Sequence, residues 1–238
     1  MNAHEHEAEP IPGLPAQLPD GEQLLWQGRP RWQTLAVVAF HARKVAVYFG
    51  VFIVLRGLFA FGRGADLAAA FADALLVLPL ALVGVGLLLG LAWAFAESTV
   101  YTITNRRVVM RFGVALPMAF NLPFKQLASA DLRKLPRGEG EIALALSGDD
   151  NIAYAHLWPH ARPWRIARTQ PMLRALPDAE RVAGILGEAM RAWLATDAGR
   201  AAQAATAQRV APERVVRGLV VEPRERPVLG LQPAEDRS

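Results

Sequence analysis

The chain of 238 residues contains no cysteine. That absence excludes disulfide bonds, thiolate metal sites and a cysteine nucleophile. Recognisable catalytic signatures are also missing, because the sequence has no Gly-rich phosphate loop, no Ser/His/Asp arrangement and no His-Glu-x-x-His motif. We therefore expect a protein that is not an enzyme and that binds no cofactor or metal.

Lysine is scarce, with three residues against 23 arginines, and the net charge of +4 is unevenly distributed. Residues 1–22 hold five acidic side chains and no Lys or Arg, whereas residues 98–176 hold eleven Lys or Arg and five acidic side chains. A basic surface is typical of contact with anionic lipid headgroups or with nucleic acid. We do not expect nucleic acid as a partner, because the basic residues do not cluster on one helix and no nucleic-acid-binding motif is present.

Charge is nearly absent from two long stretches in the first hundred residues. Residues 45–61 carry one charged side chain, Arg56, and residues 74–96 carry none over 23 positions. A bilayer core requires about 20 apolar residues per helix. We therefore expect a transmembrane hairpin over residues 45–97, with spans at 45–61 and 74–96.

Loop charges orient this hairpin. Arg43 and Lys44 precede the first span and Arg106 and Arg107 follow the second, whereas the connecting loop at residues 62–70 holds a single basic residue, Arg63. Positive charge is enriched in cytoplasmic loops. Both termini are therefore expected in the cytoplasm, with the short connecting loop on the opposite side.

Two features within the hairpin are candidate sites. Arg56 and Asp73 lie at the same expected depth, and an ion pair between them is favoured over a polar translocation site, which needs more than one pair. Gly86 and Gly90 form a small-xxx-small pattern that lets another helix approach closely. The neighbour at this face is left open between the first span, a second copy and a partner's helix. Pro79 is expected to kink the second span.

After residue 97 the apolar run gives way to alternation. Short alternating segments with turn residues between them predict a small antiparallel sandwich or barrel. From Asp178 to Leu194 the apolar residues repeat at helical spacing, which predicts a closing helix. The expected strands are residues 99–104, 107–112, 119–123, 127–132, 141–146 and 152–157.

These patterns divide the chain into five parts. Residues 1–20 are an acidic, disordered N-terminus, and residues 21–44 are a cytoplasmic segment before the membrane. The hairpin follows at 45–97 and the cytoplasmic sandwich domain at 98–196. Residues 197–238 mix arginines, acids and prolines, which is typical of a mostly disordered tail.

Residues 97–113 (ESTVYTITNRRVVMRFG) resemble the start of a bacterial pleckstrin-homology (PH) domain. In that family a Tyr-x-Ile-Thr-x-x-Arg hairpin follows a pair of membrane helices, and a stretch similar to residues 21–30 (GEQLLWQGRP) precedes the helices. Both elements occur here in that order. The resemblance implies a seven-stranded bent sandwich capped by one C-terminal helix. The expected fold class is therefore an α+β membrane protein with a two-helix hairpin and a PH-like domain.

Three further stretches, residues 9–15, 40–48 and 160–178, are similar to the PuhB-type assembly proteins of purple bacteria. This resemblance spans roughly residues 9–195. It implies a non-enzymatic factor that assists assembly of the photosynthetic reaction centre and its core antenna in the bacterial inner (intracytoplasmic) membrane. The implied partners are reaction-centre and light-harvesting subunits, membrane lipids and a second copy of the chain.

Two groups of side chains are candidates for contact with a partner or a lipid. The first lies in the turn of the first sandwich hairpin, where the alternative is a solvated turn. The second lies at residues 162–174, a stretch that Pro163 and Pro171 make extended and stiff, and Arg and Trp are the residue types enriched at interface hot spots. The alternative there is a loop pinned to the sandwich. The candidates are Arg106 and Arg107 in the first group, and Arg162, Trp164, Arg165, Arg168 and Arg174 in the second.

Two functions remain open on these residues. The first is the assembly factor that the resemblance implies. The second is a membrane-tethered PH-like module that binds anionic lipid headgroups through the same arginines. An enzyme or transporter is disfavoured, because no catalytic constellation is present and two spans rarely enclose a path.

Overall fold

The computed structural model describes residues 18–147, 152–202 and 204–205. Within these residues, a strand and a short helix precede a long helical hairpin, and the remaining strands and the last long helix follow it. The elements in chain order are β1 (Leu24–Gly28), α1 (Trp32–Val38), α2 (Ala42–Gly62), α3 (Leu67–Leu75), α4 (Leu78–Ser98), β2 (Val100–Thr104), β3 (Arg107–Phe112), β4 (Met118–Pro123), β5 (Leu127–Lys134), β6 (Gly140–Leu146), α5 (Tyr154–Leu157), β7 (Met172–Leu176) and α6 (Ala179–Leu194).

The strands form two antiparallel sheets, which confirms the expected mixed fold of helices and antiparallel strands. One sheet has the order β1-β2-β3-β4 and the other has the order β5-β6-β7. Side chains of both sheets, including Tyr101, Phe112 and Leu144, share one buried core. Helix α6 closes this core with Val182 and Leu186, which are 1% exposed. We call the two sheets and α6 the sandwich.

The boundary expected at residue 98 is wrong, because the sandwich begins before the hairpin. Strand β1 pairs with β2, with Trp26 opposite Ile103 and Gly28 opposite Tyr101. Without β1 the edge of β2 would expose unpaired backbone groups. The segment at residues 21–44 therefore contributes to the sandwich, and the hairpin is inserted between the first two strands.

One expected strand is also wrong. Of residues 152–157, the last four form the single turn α5. The missing strand is β7, in which all five residues are buried. Arg174 at its centre interrupts the apolar pattern, and Pro171 and Pro177 at its flanks are more typical of a connecting segment. Residues 148–151, which belong to the turn expected before residue 152, and most of the two terminal segments lie outside the described residues.

The hairpin comprises α2, α3 and α4. Helices α2 and α4 each have 21 residues, which corresponds to about 30 Å. The expected second span is interrupted at Leu76–Val77, and Pro79 lies in the first turn of α4, where its missing N–H is tolerated. Because α3 begins at Leu67, the loop between α2 and α3 is shorter than expected. Asp66 caps α3 by accepting a hydrogen bond from the Ala69 N–H at 2.7 Å.

Helix α1 fixes the hairpin to the sandwich. Its Leu35 and Ala36 are buried in a cluster with Ala92 and Ala96 of α4 and Ala175 of β7. Helix α4 also leads into β2 with only Thr99 between them. The hairpin is thus joined to the sandwich by packing and by continuous chain, so its direction relative to the sheets is set by the fold.

Candidate functional site

A buried ion pair lies where β6, β7 and α1 meet. The Arg174 Nε donates to Glu141 Oε1 at 2.8 Å, and both side chains are at most 5% exposed. The same guanidinium donates to the carbonyl oxygens of Pro159 at 3.0 Å and Val38 at 2.9 Å. Arg133 also donates to the Glu141 carboxylate from the outside. Arg174 therefore joins three segments of the fold, and the expectation that it contacts a partner is wrong.

A second buried polar group surrounds His160. The Tyr101 hydroxyl oxygen lies 2.6 Å from His160 Nδ1, and the Thr99 hydroxyl donates to the Phe95 carbonyl at 2.6 Å. Thr99 Oγ1, at 3.2 Å, is then left to accept from His160 Nε2. The imidazole therefore carries a proton on Nε2, and in its neutral form it accepts from the Tyr101 hydroxyl at Nδ1.

The environment of His160 favours its neutral form. Burial, together with the nearby charge of Arg174, lowers the pKa of His160 to about 3. Burial raises the pKa of Tyr101 well above its ordinary value. Neither group is exposed, so both serve to hold the 158–160 segment against β2 and the end of α4.

An aromatic cluster marks the end of the hairpin nearest the sandwich, which we call its base. Phe40, Phe95 and Trp158 are mutual neighbours, with ring centroids 5.5 to 5.8 Å apart. Trp158 is still 45% exposed. Aromatic rings of this kind concentrate at membrane–water interfaces.

The segment at residues 162–169, here named the tryptophan loop, projects from the sandwich beside this base. Trp164 is 94% exposed and has a positive φ of 64°, and Ile166 is 68% exposed. Arg165 and Arg168 are exposed as well. The loop is therefore not pinned to the sandwich by Trp164. Its most exposed side chains are of the types that bind partners or interfaces.

Arg162 is the member of this group that the fold holds in place. Its Nη1 lies 3.2 Å from Asp131 Oδ2 and donates to Gln170 Oε1 at 2.9 Å. These contacts tie the start of the tryptophan loop to β5. Arg162 thereby faces a cleft rather than open solvent.

This cleft, here named the junction cleft, lies between the first turn of α2 and the tryptophan loop and has a volume of about 600 Å³. Basic side chains come to it from four different elements or loops. The lining residues are Val38, His41, Lys44, Asp131, Leu132, Arg133, Glu141, Ala143, Arg162, Pro163, Trp164, Met172 and Arg174. The two arginines beyond Trp164, Arg165 and Arg168, do not line it.

The turn of the first sandwich hairpin places its two arginines differently. Arg107 Nε donates to Glu22 Oε1 at 2.7 Å, and the Glu22 side chain is 3% exposed. Arg107 is therefore engaged in a structural ion pair, which weakens its candidacy for lipid binding. Arg106 is exposed and borders a separate depression that includes Trp193.

The two candidate features within the hairpin, the Arg56–Asp73 pair and the Gly86/Gly90 face, have different surroundings. Arg56 Nη2 lies 2.9 Å from Asp73 Oδ1, and Arg56 Nε donates to the Asp73 carbonyl at 3.0 Å. Among the residues that the structure describes, Gly86 and Gly90 have no neighbour within 4 Å of an added Cβ, so they do not pack against the first span. Close packing of α2 on α3 instead uses Gly57, where a Cβ would lie 3.2 Å from the Ala74 Cβ.

Sequence reasoning missed the residues that make the junction. In the sequence, Lys44 indicates only the orientation of the hairpin, and no pattern predicts a contact for Arg133, Glu141 or His160. No local signal marks them, because Arg133 and Glu141 are brought together by strand register and His160 meets Thr99 across 61 positions. Among the described residues, no group of three or more His, Asp or Glu side chains could hold a metal ion.

Comparison with known proteins identifies the family. Residues 45–190 match the bacterial PH domain, and the chain belongs to that family. The chain is also 44% identical over 196 residues to a Rhodobacter capsulatus protein described as an uncharacterized 23.7 kDa protein in the puhA 5′ region. That similarity covers 82% of this chain and 91% of the relative. No solved structure matches the chain.

Proposed function

We propose that this protein is a non-enzymatic, membrane-anchored factor that assists assembly of the photosynthetic reaction centre and its core antenna. The observation that carries the proposal is the similarity to a protein encoded in the puhA 5′ region, a photosynthesis region, over most of both chains. Membership of the bacterial PH domain family is compatible with a binding role.

The proposal places the hairpin in the inner (intracytoplasmic) membrane. Two helical segments, at residues 42–62 and 67–98, are long and apolar enough to cross a bilayer. Only 6% and 17% of their most apolar windows are buried within the chain, which distinguishes them from core helices of a soluble domain. Arg43 and Lys44 at the base favour the cytoplasmic side, and both termini are proposed to lie there.

The proposed mechanism uses the fixed junction between hairpin and sandwich. Exposed apolar side chains of the hairpin would pack against helices of pigment–protein subunits, while the tryptophan loop holds a cytoplasmic segment of the same partner. Two contacts on one rigid body make the second contact effectively intramolecular. Confinement in the membrane plane further lowers the entropic cost of bringing subunits together.

The proposal is tested by affinity purification of the tagged full-length protein from photosynthetic membranes in mild detergent, followed by mass spectrometry. We expect reaction-centre or light-harvesting subunits with the wild type. The double variant Trp164→Ala with Arg165→Ala is expected to lose them. Arg181→Ala, which removes an exposed arginine of α6 that belongs to neither candidate group, serves as the control. Recovery of only the bait and lipid would contradict the proposal.

A second candidate function is a membrane-tethered module that binds anionic lipid. The observation that favours it is the exposed Trp164 with Arg165 and Arg168 beside the base of the hairpin. Lipid binding by these arginines predicts recruitment of anionic lipid that weakens steeply with salt. The full chain is needed for this test, because the sandwich includes β1 and residues 98–196 alone would lack an edge strand.

A further inference from the structure

We propose that the junction cleft binds the phosphate group of one anionic phospholipid from the cytoplasmic leaflet. This inference rests on the proposed membrane position of the hairpin. The proposed lipid site is distinct from the turn between β2 and β3 that holds Arg106 and Arg107.

The charges in the cleft favour an anion. Lys44, Arg133, Arg162 and Arg174 line it against only two carboxylates. Both carboxylates are already neutralised, since Asp131 is paired with Arg162 and Glu141 accepts from Arg133 and Arg174.

Lys44 is the cation that remains available for a ligand. In the part of the chain that the structure describes, its side chain has no ion-pair partner. The Lys44 ammonium is therefore the group that we expect to contact a phosphate directly. The Arg162 guanidinium, whose contacts with Asp131 and Gln170 both use Nη1, adds positive charge beside it.

The position of the cleft favours a lipid over a soluble anion. Lys44 lies in the first turn of α2, directly before the apolar run that begins at Val45. In the proposed orientation this turn lies at the level of the headgroups. Trp164 and Pro163 form the opposite wall, so an indole stands at the same level as the expected phosphate. Val38 and Met172 supply apolar lining for the first methylene groups of an acyl chain.

The first turn of α2 adds a weaker, favourable field. His41 precedes the helix, and no side chain in the described part of the chain caps that end. The amino end of a helix carries partial positive charge, which favours an anion nearby. The partial charge at the start of α2 therefore adds to the attraction that the cationic side chains exert on a phosphate.

The experiment is native mass spectrometry of the full-length protein released from nanodiscs that contain equal amounts of phosphatidylglycerol and phosphatidylcholine. We expect the wild type to retain one phosphatidylglycerol. Lys44→Ala is expected to reduce its retention about tenfold, which corresponds to about 1.4 kcal/mol. Lys44→Arg is expected to restore it. The matched control is Arg43→Ala, because Arg43 is exposed, adjacent and of equal charge but does not line the cleft.

Three results would overturn the site. Equal losses in the Lys44 and Arg43 variants would mean diffuse attraction to the bilayer. Equal retention of both lipids would remove the preference for an anion. Displacement of phosphatidylglycerol by excess inorganic phosphate would identify a soluble anion as the ligand.

Failure of this site is separable from failure of the assembly role. If Lys44→Ala loses phosphatidylglycerol but still recovers photosynthetic subunits, the lipid site stands and is not required for partner binding. If Lys44→Ala keeps phosphatidylglycerol, the site is refuted whatever subunits the wild type recovers.

Discussion

Replacement of Arg174 by methionine is expected to destabilise the whole junction. The substitution leaves the buried Glu141 carboxylate with only its outer partner, and it leaves the carbonyls of Val38 and Pro159 without their donor. Removal of one partner from a buried ion pair costs about 3 to 5 kcal/mol. For a domain of this size each kcal/mol lowers the unfolding midpoint by about 2 to 4 °C. The expected decrease is therefore about 6 to 20 °C.

The assay is thermal unfolding of the full-length protein in detergent, at one scan rate for all variants because unfolding of such proteins is often irreversible. Arg133→Ala is the matched control, since Arg133 binds the same carboxylate but its side chain is 61% exposed. It is expected to cost about 1 kcal/mol or less.

A double variant isolates the role of the buried charge. Arg174→Met combined with Glu141→Leu removes both charges, and it is expected to be more stable than Arg174→Met alone. A decrease below about 2 °C for Arg174→Met, or a double variant less stable than the single one, would refute the reasoning.

Three further perturbations test other parts of the structure. Burial lowers the pKa of His160 from 6.5 to about 3, so the stability that this group contributes is complete above pH 6.5 and declines as the pH falls toward 3. The unfolding free energy of His160→Gln should therefore decrease less steeply over this pH range, and a decrease as steep as that of the wild type would contradict the reasoning. Arg107→Ala is expected to lower the thermal unfolding midpoint because it leaves a buried carboxylate unpaired, whereas Arg106→Ala should cost less than about 0.5 kcal/mol, and equal effects would argue against the ion pair. Gly57→Leu is expected to disrupt the helix contact seen in the hairpin, whereas Gly86→Leu should leave the unfolding of the single chain unchanged; loss of subunit recovery with Gly86→Leu would assign that face to another helix.

Elements with a strong local pattern could be predicted from the sequence. The apolar run before Gly62 and the helical repeat from Val182 to Leu194 are each visible in one short window. Strand β3 was predicted with its exact bounds because its apolar residues are contiguous and a turn precedes it. These signals depend only on neighbours along the chain.

Elements defined by distant pairing could not be predicted in the same way. Strand β1 is a strand because it meets β2 across the whole hairpin. Strand β7 carries a charge that only the buried Glu141 neutralises. The sequence shows that Arg174 is a cation, but it does not show that the Glu141 carboxylate lies beside it. For that reason a residue with a structural role is predicted from the sequence as a binding residue.

The candidate site also combines features that the sequence indicates with features that only the fold creates. Trp164, Arg165 and Arg168 were selected by residue type, and the structure places all three on the surface. The position of Trp164 across the junction cleft from Lys44 depends on how α1 fixes the hairpin to the sandwich, which no local pattern encodes. The junction cleft is therefore a property of the tertiary fold.

The central claim is that this protein assists assembly, and it is tested most directly in a strain that lacks its gene. The measurement is the amount of assembled reaction centre with core antenna per cell, together with the photochemical activity per assembled complex. We predict a lower amount of complex with unchanged activity per complex, and recovery of the amount when the wild-type gene is returned. A normal amount of complex, whether or not the activity per complex is reduced, would contradict the claim.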